Sequence, residues 1–136
     1  VDTRLAPPID SEAAQAIFRD AAARAEAAVP GVSVSIRVTG DRPCVPLCPE
    51  SPLLHALQRA CRTVTGQTLE AGLFPGYTDT AVVAGTLHNR NCLSYGPGNL
   101  EQAHKPDEFV AVEDIRRCEA VLDALIGAEV LADDGR

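Results

Sequence analysis

The sequence has no methionine and no tryptophan, and aromatic residues make up only 4% of its 136 residues. Its apolar side chains are therefore mainly those of alanine, valine, leucine and isoleucine, which suit helices layered on a sheet. No apolar run approaches the roughly 20 residues that a membrane-spanning helix requires. A charged segment followed by an apolar one, which would mark a secretory signal, is also missing. We therefore expect no membrane segment.

Grouped basic residues are missing as well. The 12 lysines and arginines are scattered among 19 acidic residues, and the net charge is −7. Because phosphate contacts require clustered basic side chains, this charge pattern argues against a nucleic-acid partner.

The cysteines number five, which is an odd count. Cys61 and Cys118 lie in apolar helical patterns, where a free cysteine behaves as a small hydrophobic residue. This usage favours a reduced, cytoplasmic protein. Cys44 and Cys48, with His55 further along, form an alternative zinc-binding pattern, although their spacing is loose and a fourth ligand is missing.

Four helices are predicted from the spacing of apolar residues and from signals at the helix ends. The second has the clearest signals, with Ser51 as N-cap, Pro52 at the first helical position and Gly66 at the end. The expected helices are 11–28, 52–65, a short segment capped by Thr78 or Asp79, and a final stretch that includes 115–125.

Three further segments are predicted to be strands, at 1–5, 32–38 and 91–95. Segment 32–38 places valines and an isoleucine on one face and polar side chains on the other, which is typical of a sheet covered by helices on one side. Residues 1 to about 40 therefore predict a β-α-β unit, and the chain as a whole predicts an α/β fold.

The most distinctive segment is SYGPGNLEQAHKPDEFV, residues 94–110, which places His104 in a loop of glycine, proline and small polar residues. A neutral imidazole is a good ligand for zinc or cobalt. The carboxylates of Asp107 and Glu108 follow closely, and such groups often support a ligating histidine. From the residue pattern alone, both a metal ligand and a solvated loop histidine remain open.

This segment strongly resembles the last metal-ligand motif of the zinc-dependent aminoacylase/carboxypeptidase family. That family includes acetylornithine deacetylase, succinyl-diaminopimelate desuccinylase and the glutamate carboxypeptidases. Three other segments resemble the family in the same order: VDTRLAP a strand of its lid domain, GDRPCV the return from the lid, and PGYTDTAVV its Gly-Thr-Asp segment.

The resemblance implies a specific architecture. It predicts the C-terminal part of a di-zinc peptidase-like α/β catalytic domain, residues 43–136, preceded by half of an inserted ferredoxin-like lid or dimerisation domain, residues 1–42. It also implies hydrolysis of the amide bond of a small N-acyl amino acid or dipeptide, with acetylornithine deacetylase-like specificity favoured. The complete enzyme would use two zinc ions, or cobalt, and would form a homodimer through its lids.

The resemblance also implies roles for individual residues. His104 would be a metal ligand, and Arg42 would bind a substrate carboxylate, although a solvated loop charge is an equal alternative for Arg42. The remaining assignments are substrate binding for Thr78, Gly96 and Gly98, and support of the site for Glu108 and Asp79.

One departure from the family pattern is large. Family members carry a His-x-Asp motif and a Glu-Glu pair, and neither occurs in these 136 residues. A two-metal site needs several carboxylates and a general base. We therefore expect a carboxy-terminal portion of such an enzyme, inactive by itself. The alternative is a naturally short, non-catalytic module that uses the fold for dimerisation or regulation.

Overall fold

A computed structural model describes residues 1–6 and 8–133, with side chains described up to residue 128. Its α-helices in chain order are α1 (Ser11–Ala28), α2 (Pro52–Thr65), α3 (Thr80–Thr86) and α4 (Val112–Asp133), and a 3₁₀ helix spans Leu100–Gln102. The chain divides into two compact units. Unit 1 comprises Val1–Pro46 with Phe74–Arg90, and unit 2 comprises Leu47–Leu73 with the chain from Asn91 onward.

The predicted helices form close to their predicted ends, because the end signals act locally. Asp10 caps α1 by accepting a hydrogen bond from the backbone N–H of Ala13 at 2.8 Å. Ser51 caps α2 in the same way through the N–H of Leu54 at 3.2 Å, and Gly66 ends α2 in the left-handed conformation at φ 73°. Few residues other than glycine adopt that conformation without strain.

The core of unit 2 lies where α2 packs against α4. Leu57 of α2 and Val121 of α4 are 2% and 0% exposed, and Cys61 is buried beside them. Leu93 and Tyr95 pack against this cluster from the segment that follows α3. Burial of large aliphatic side chains stabilises this helix pair, at about 1.5–3 kcal/mol per fully buried side chain.

The apolar face predicted for α1 is largely uncovered. Among the described residues of α1, Ala14 is the only one that is buried. Phe18 is half-buried and Ile17 is exposed. The helix is nevertheless present, because its capping and backbone hydrogen bonds need no tertiary partner. The sequence pattern predicted the helix correctly but not the burial of its apolar face.

The three predicted strands are not observed: within the described ranges, segments 1–5, 32–38 and 91–95 contain no strand. A strand forms only when neighbouring backbone takes up its N–H and C=O groups. In 32–38, the N–H of Val34 instead donates to the carboxylate of Glu26 at 2.7 Å. The prediction of a β-α-β unit at residues 1–40 is therefore wrong for this structure, because alternation sets side-chain faces without supplying a pairing partner.

Segment 91–95 keeps one property of a buried strand. Leu93 and Tyr95, two residues apart, both contact the α2–α4 core, while Ser94 between them is exposed. Leu93 and Tyr95 therefore pack against the core although the segment forms no hydrogen-bonded ladder.

Candidate functional site

Residues 96–110, named here the histidine loop, are folded by a series of short-range hydrogen bonds. The side chain of Asn99 accepts from the N–H of Glu101 at 2.9 Å and so caps the 3₁₀ helix Leu100–Gln102. Further along, the N–H of Lys105 donates to the carbonyl of Gln102 at 3.3 Å, and the N–H of Glu108 donates to that of Lys105 at 3.2 Å. The loop therefore has a defined conformation without a sheet.

The two ends of the histidine loop meet at Gly98. This residue has φ +88°, and a Cβ added to it would lie 3.1 Å from Cγ2 of Val110. Both the backbone angle and the close approach therefore favour glycine. Gly96 differs, because a Cβ added there would meet no atom within 4 Å and its φ is not in the left-handed range. Of these two glycines, Gly98 is the one whose backbone angle and close contact favour glycine.

His104 lies in the left-handed region at φ 60°, and Asp107 follows at φ 59°. Residues with a Cβ are uncommon there and deserve a functional explanation when they occur. The side chain of His104 is exposed, and within the described part of the chain its ring makes no hydrogen bond or ion pair. Both ring nitrogens are therefore available to a ligand.

Glu108 contacts His104 through the main chain. Its Oε2 accepts a hydrogen bond from the backbone N–H of His104 at 3.0 Å. The sequence predicted support of the imidazole, whereas the observed contact fixes the backbone that carries it. His104, Glu108, Gly96 and Gly98 thus share one loop of unit 2.

The other predicted site residues lie in unit 1. The Nε–H of Arg42 donates to the hydroxyl of Tyr77 at 3.1 Å, and both side chains are exposed. Since Arg42 forms no ion pair with a described residue, its two Nη groups remain available as a fork of donors. Tyr77 is therefore a hydrogen-bond partner of Arg42. Arg42 also lines a cavity of about 760 Å³ within unit 1, together with Leu5, Ile9, Asp41, Pro43 and Ala81.

Thr78 and Asp79 precede α3. The hydroxyls of Thr78 and Thr80 are hydrogen-bonded to each other, so Thr78 is partly committed to the local structure. Asp79 occupies the N-cap position of α3, but its carboxylate makes no capping hydrogen bond. Asp79 therefore does not supply the side-chain cap, although the short helix is formed.

A complete metal site is not assembled in the part of the chain that the structure describes. No group of three or more histidine, cysteine, aspartate or glutamate side chains is placed to hold a metal ion there. Cys44, Cys48 and His55, the alternative cluster suggested by the sequence, form no such group among the described residues. All five cysteines are free thiols, and Cys44 donates to the carbonyl of Leu5 at 3.0 Å.

Packing perturbs the ionisation of Tyr95 in unit 2. Burial against the α2–α4 core raises its pKa above the ordinary value of 10.0, and the nearby thiols of Cys118 and Cys61 raise it further, while Arg117 opposes them. The raised pKa favours the neutral phenol, which suits a side chain packed against the core.

The chain is similar to a known family of proteins. The sequence model of Peptidase family M20/M25/M40 matches residues 5–128, nearly the whole chain. The match assigns the chain to the metallopeptidases, a class of hydrolases, and members of this family are generally metal-dependent. The chain belongs to Peptidase family M20/M25/M40. No curated protein and no solved structure matches it.

Family membership confirms the metallopeptidase resemblance at the level of the family. The family domain fits an α/β peptidase fold, although the described residues contain helices and no strands. Among the described residues, no helix combines the length and apolar character needed to cross a membrane.

Proposed function

We propose that this chain is a portion of a zinc-dependent amidohydrolase that cleaves the amide bond of an N-acyl amino acid, with acetylornithine deacetylase-like specificity. Membership of Peptidase family M20/M25/M40 supports the metal-dependent hydrolase. The observation that carries the proposal is the exposed, uncommitted imidazole of His104 on a hydrogen-bonded turn within the matched region. The substrate class rests on the resemblance of the QAHKPDEF segment.

This chain can supply one ligand to a metal ion, the imidazole of His104. The neutral imidazole of His104 has the donor chemistry that zinc and cobalt accept. The described residues supply no further ligand set around it. Because a His-x-Asp motif and a Glu-Glu pair are also missing from the sequence, we propose that these 136 residues are inactive by themselves and act within a complete enzyme with two metal ions.

The residues of this chain would act by binding and orienting. When bound, the metal ions supply a Lewis acid for the acyl carbonyl and lower the pKa of a coordinated water. His104 holds one of the ions, and Gly98 keeps the backbone of the histidine loop close to Val110. Arg42, whose Nε–H is used by Tyr77, presents its Nη groups to the substrate carboxylate in a two-pronged contact.

The smaller assignments follow the resemblance. Thr78 and Gly96 would bind the substrate, and Asp79 would support the site through a carboxylate that is exposed and not used as a helix cap. We also propose a cytoplasmic enzyme that forms a homodimer through its lid domain, residues 1–42.

The direct test replaces His104 with alanine in the complete enzyme. Loss of one metal ligand should reduce zinc occupancy and kcat/KM by at least about tenfold, since even residues that only support a ligand have effects of that size. His88→Ala is the matched control, because His88 is also exposed and also has positive φ, at 50°. If zinc content and turnover stay unchanged in His104→Ala but fall in His88→Ala, His88 and not His104 is the metal ligand.

A second candidate function is a non-catalytic dimerisation or regulatory module. Four alternating apolar residues favour it, because each is 40–49% exposed and lies on one face of the predicted strand: Val32, Val34, Ile36 and Val38. If this role is the correct one, Ile36→Glu should shift the sedimentation coefficient to that of a monomer. His104→Ala should then leave the oligomeric state of the protein unchanged. Loss of zinc and of turnover in His104→Ala favours the hydrolase whatever the oligomeric state of Ile36→Glu, because the hydrolase is also proposed to dimerise through residues 1–42.

A further inference from the structure

We propose that Glu108 is a positioning residue that holds His104 in its left-handed backbone conformation through the main-chain N–H. The inference rests on the proposed metal role of His104 and deepens it. It assigns to the carboxylate a contact different from the ring hydrogen bond that commonly supports a ligating histidine.

The geometry of the turn carries the inference. The carboxylate of Glu108 lies 3.0 Å from the backbone nitrogen of His104. The backbone N–H of the same glutamate donates to the carbonyl of Lys105 at 3.2 Å. Glu108 therefore makes two contacts in this turn: its side chain binds the backbone of His104, and its main chain binds Lys105, the next residue along the chain.

The conformation at His104 explains why such a contact is needed. At φ 60° the Cβ of an L-residue crowds its own carbonyl oxygen, so this conformation persists only when the surroundings impose it. A hydrogen bond from a backbone N–H to a carboxylate belongs to the stronger, charge-assisted class. Because φ sets the direction in which the side chain leaves the backbone, the carboxylate also sets where the imidazole points.

The chemistry of the contact predicts a specific pattern of substitutions. Glutamine keeps an acceptor oxygen at the same distance from the backbone, so Glu108→Gln should preserve the turn. Alanine removes the acceptor and leaves the N–H of His104 to solvent. A carboxylate that bound the metal or took a ring proton would respond differently, since the neutral amide of glutamine replaces neither of those functions.

The test compares Glu108→Gln and Glu108→Ala in the complete enzyme, with Glu101→Ala as a control for removing a carboxylate from the same loop. The first readout is hydrogen exchange of the His104 amide in the metal-free protein. The second is zinc affinity by titration. We expect Glu108→Ala to accelerate exchange about tenfold or more and to weaken zinc binding roughly 10- to 100-fold, the usual range for residues that orient a ligand. Glu108→Gln and Glu101→Ala should stay within about threefold of the parent protein, because both retain the contact.

The outcomes separate the inference from the proposed function. If Glu108→Gln weakens zinc binding as much as Glu108→Ala while amide exchange is unchanged, Glu108 acts on the ring or the metal and the inference is wrong. Unchanged exchange and affinity in Glu108→Ala also overturn it. If His104→Ala binds zinc normally, the proposed metal role fails, whereas the exchange experiment still decides whether Glu108 holds the backbone of His104.

Discussion

Gly98 offers a sharp test of how the histidine loop is built, because Gly96 provides a control two residues away. Replacing Gly98 with alanine introduces a Cβ at φ +88° and places it 3.1 Å from Cγ2 of Val110. Replacing Gly96 with alanine introduces the same atom into open space at an ordinary backbone angle. The two substitutions are chemically identical, so any difference between them comes from the fold.

The expected magnitude follows from two costs and one gain. The left-handed angle costs an L-residue about 1–2 kcal/mol. The contact with Val110 adds a smaller cost, because Val110 is 41% exposed and its side chain can shift by a few tenths of an ångström. Against these costs, any glycine-to-alanine change lowers the entropy of the unfolded chain and stabilises by about 0.4–1 kcal/mol. We therefore expect Gly98→Ala to destabilise by about 1 kcal/mol and Gly96→Ala to stabilise by about 0.5 kcal/mol.

Urea unfolding followed by circular dichroism measures the global free energies of unfolding, and cleavage at Glu101 or Glu108 by a glutamate-specific protease reports opening of the loop. Gly98→Ala should lower the unfolding midpoint and speed cleavage. The double variant Gly98→Ala/Val110→Ala should recover only the steric part of the loss, since the strain at φ +88° remains. Equal midpoints and cleavage rates for Gly96→Ala and Gly98→Ala would refute the described loop closure.

Three further predictions concern unit 2. Leu57→Ala, at a residue 2% exposed, should cost about 2–5 kcal/mol in urea unfolding, whereas Leu73→Ala, at a residue 82% exposed, should change stability by less than about 0.5 kcal/mol. Ser51→Ala removes both the cap of α2 and the 2.6 Å hydrogen bond to Asn91, so the thermal midpoint should fall with a loss of about 1–2 kcal/mol. The raised pKa of Tyr95 means that the folded state keeps its proton at a pH where the unfolded state has lost it. Stability should therefore fall as the pH rises above 10.0, and Tyr95→Phe should lessen that fall in unfolding experiments; an identical pH dependence in both proteins would contradict the burial of the phenol.

The helices could be predicted from the sequence because their signals are local. Ser51, Pro52 and Gly66 act within one turn of the helix ends they define, and α2 has these ends in the structure. The strands could not be predicted in the same way. Alternation in 32–38 indicates two faces, but a ladder also depends on partners far away in sequence, and no strand forms among the described residues.

The candidate site was also only partly predictable from the sequence. The histidine, the glycines and the neighbouring carboxylates of the proposed site are visible in the segment GPGNLEQAHKPDE, whereas membership of Peptidase family M20/M25/M40 shows the family and not the roles of these residues. The contact of Glu108 could not be inferred, because a carboxylate four residues after His104 reaches either the ring or the backbone, depending on φ at His104. At φ 60° it reaches the backbone N–H. Sequence spacing therefore predicts which groups meet in this loop, whereas the backbone conformation decides which atoms of those groups bind each other.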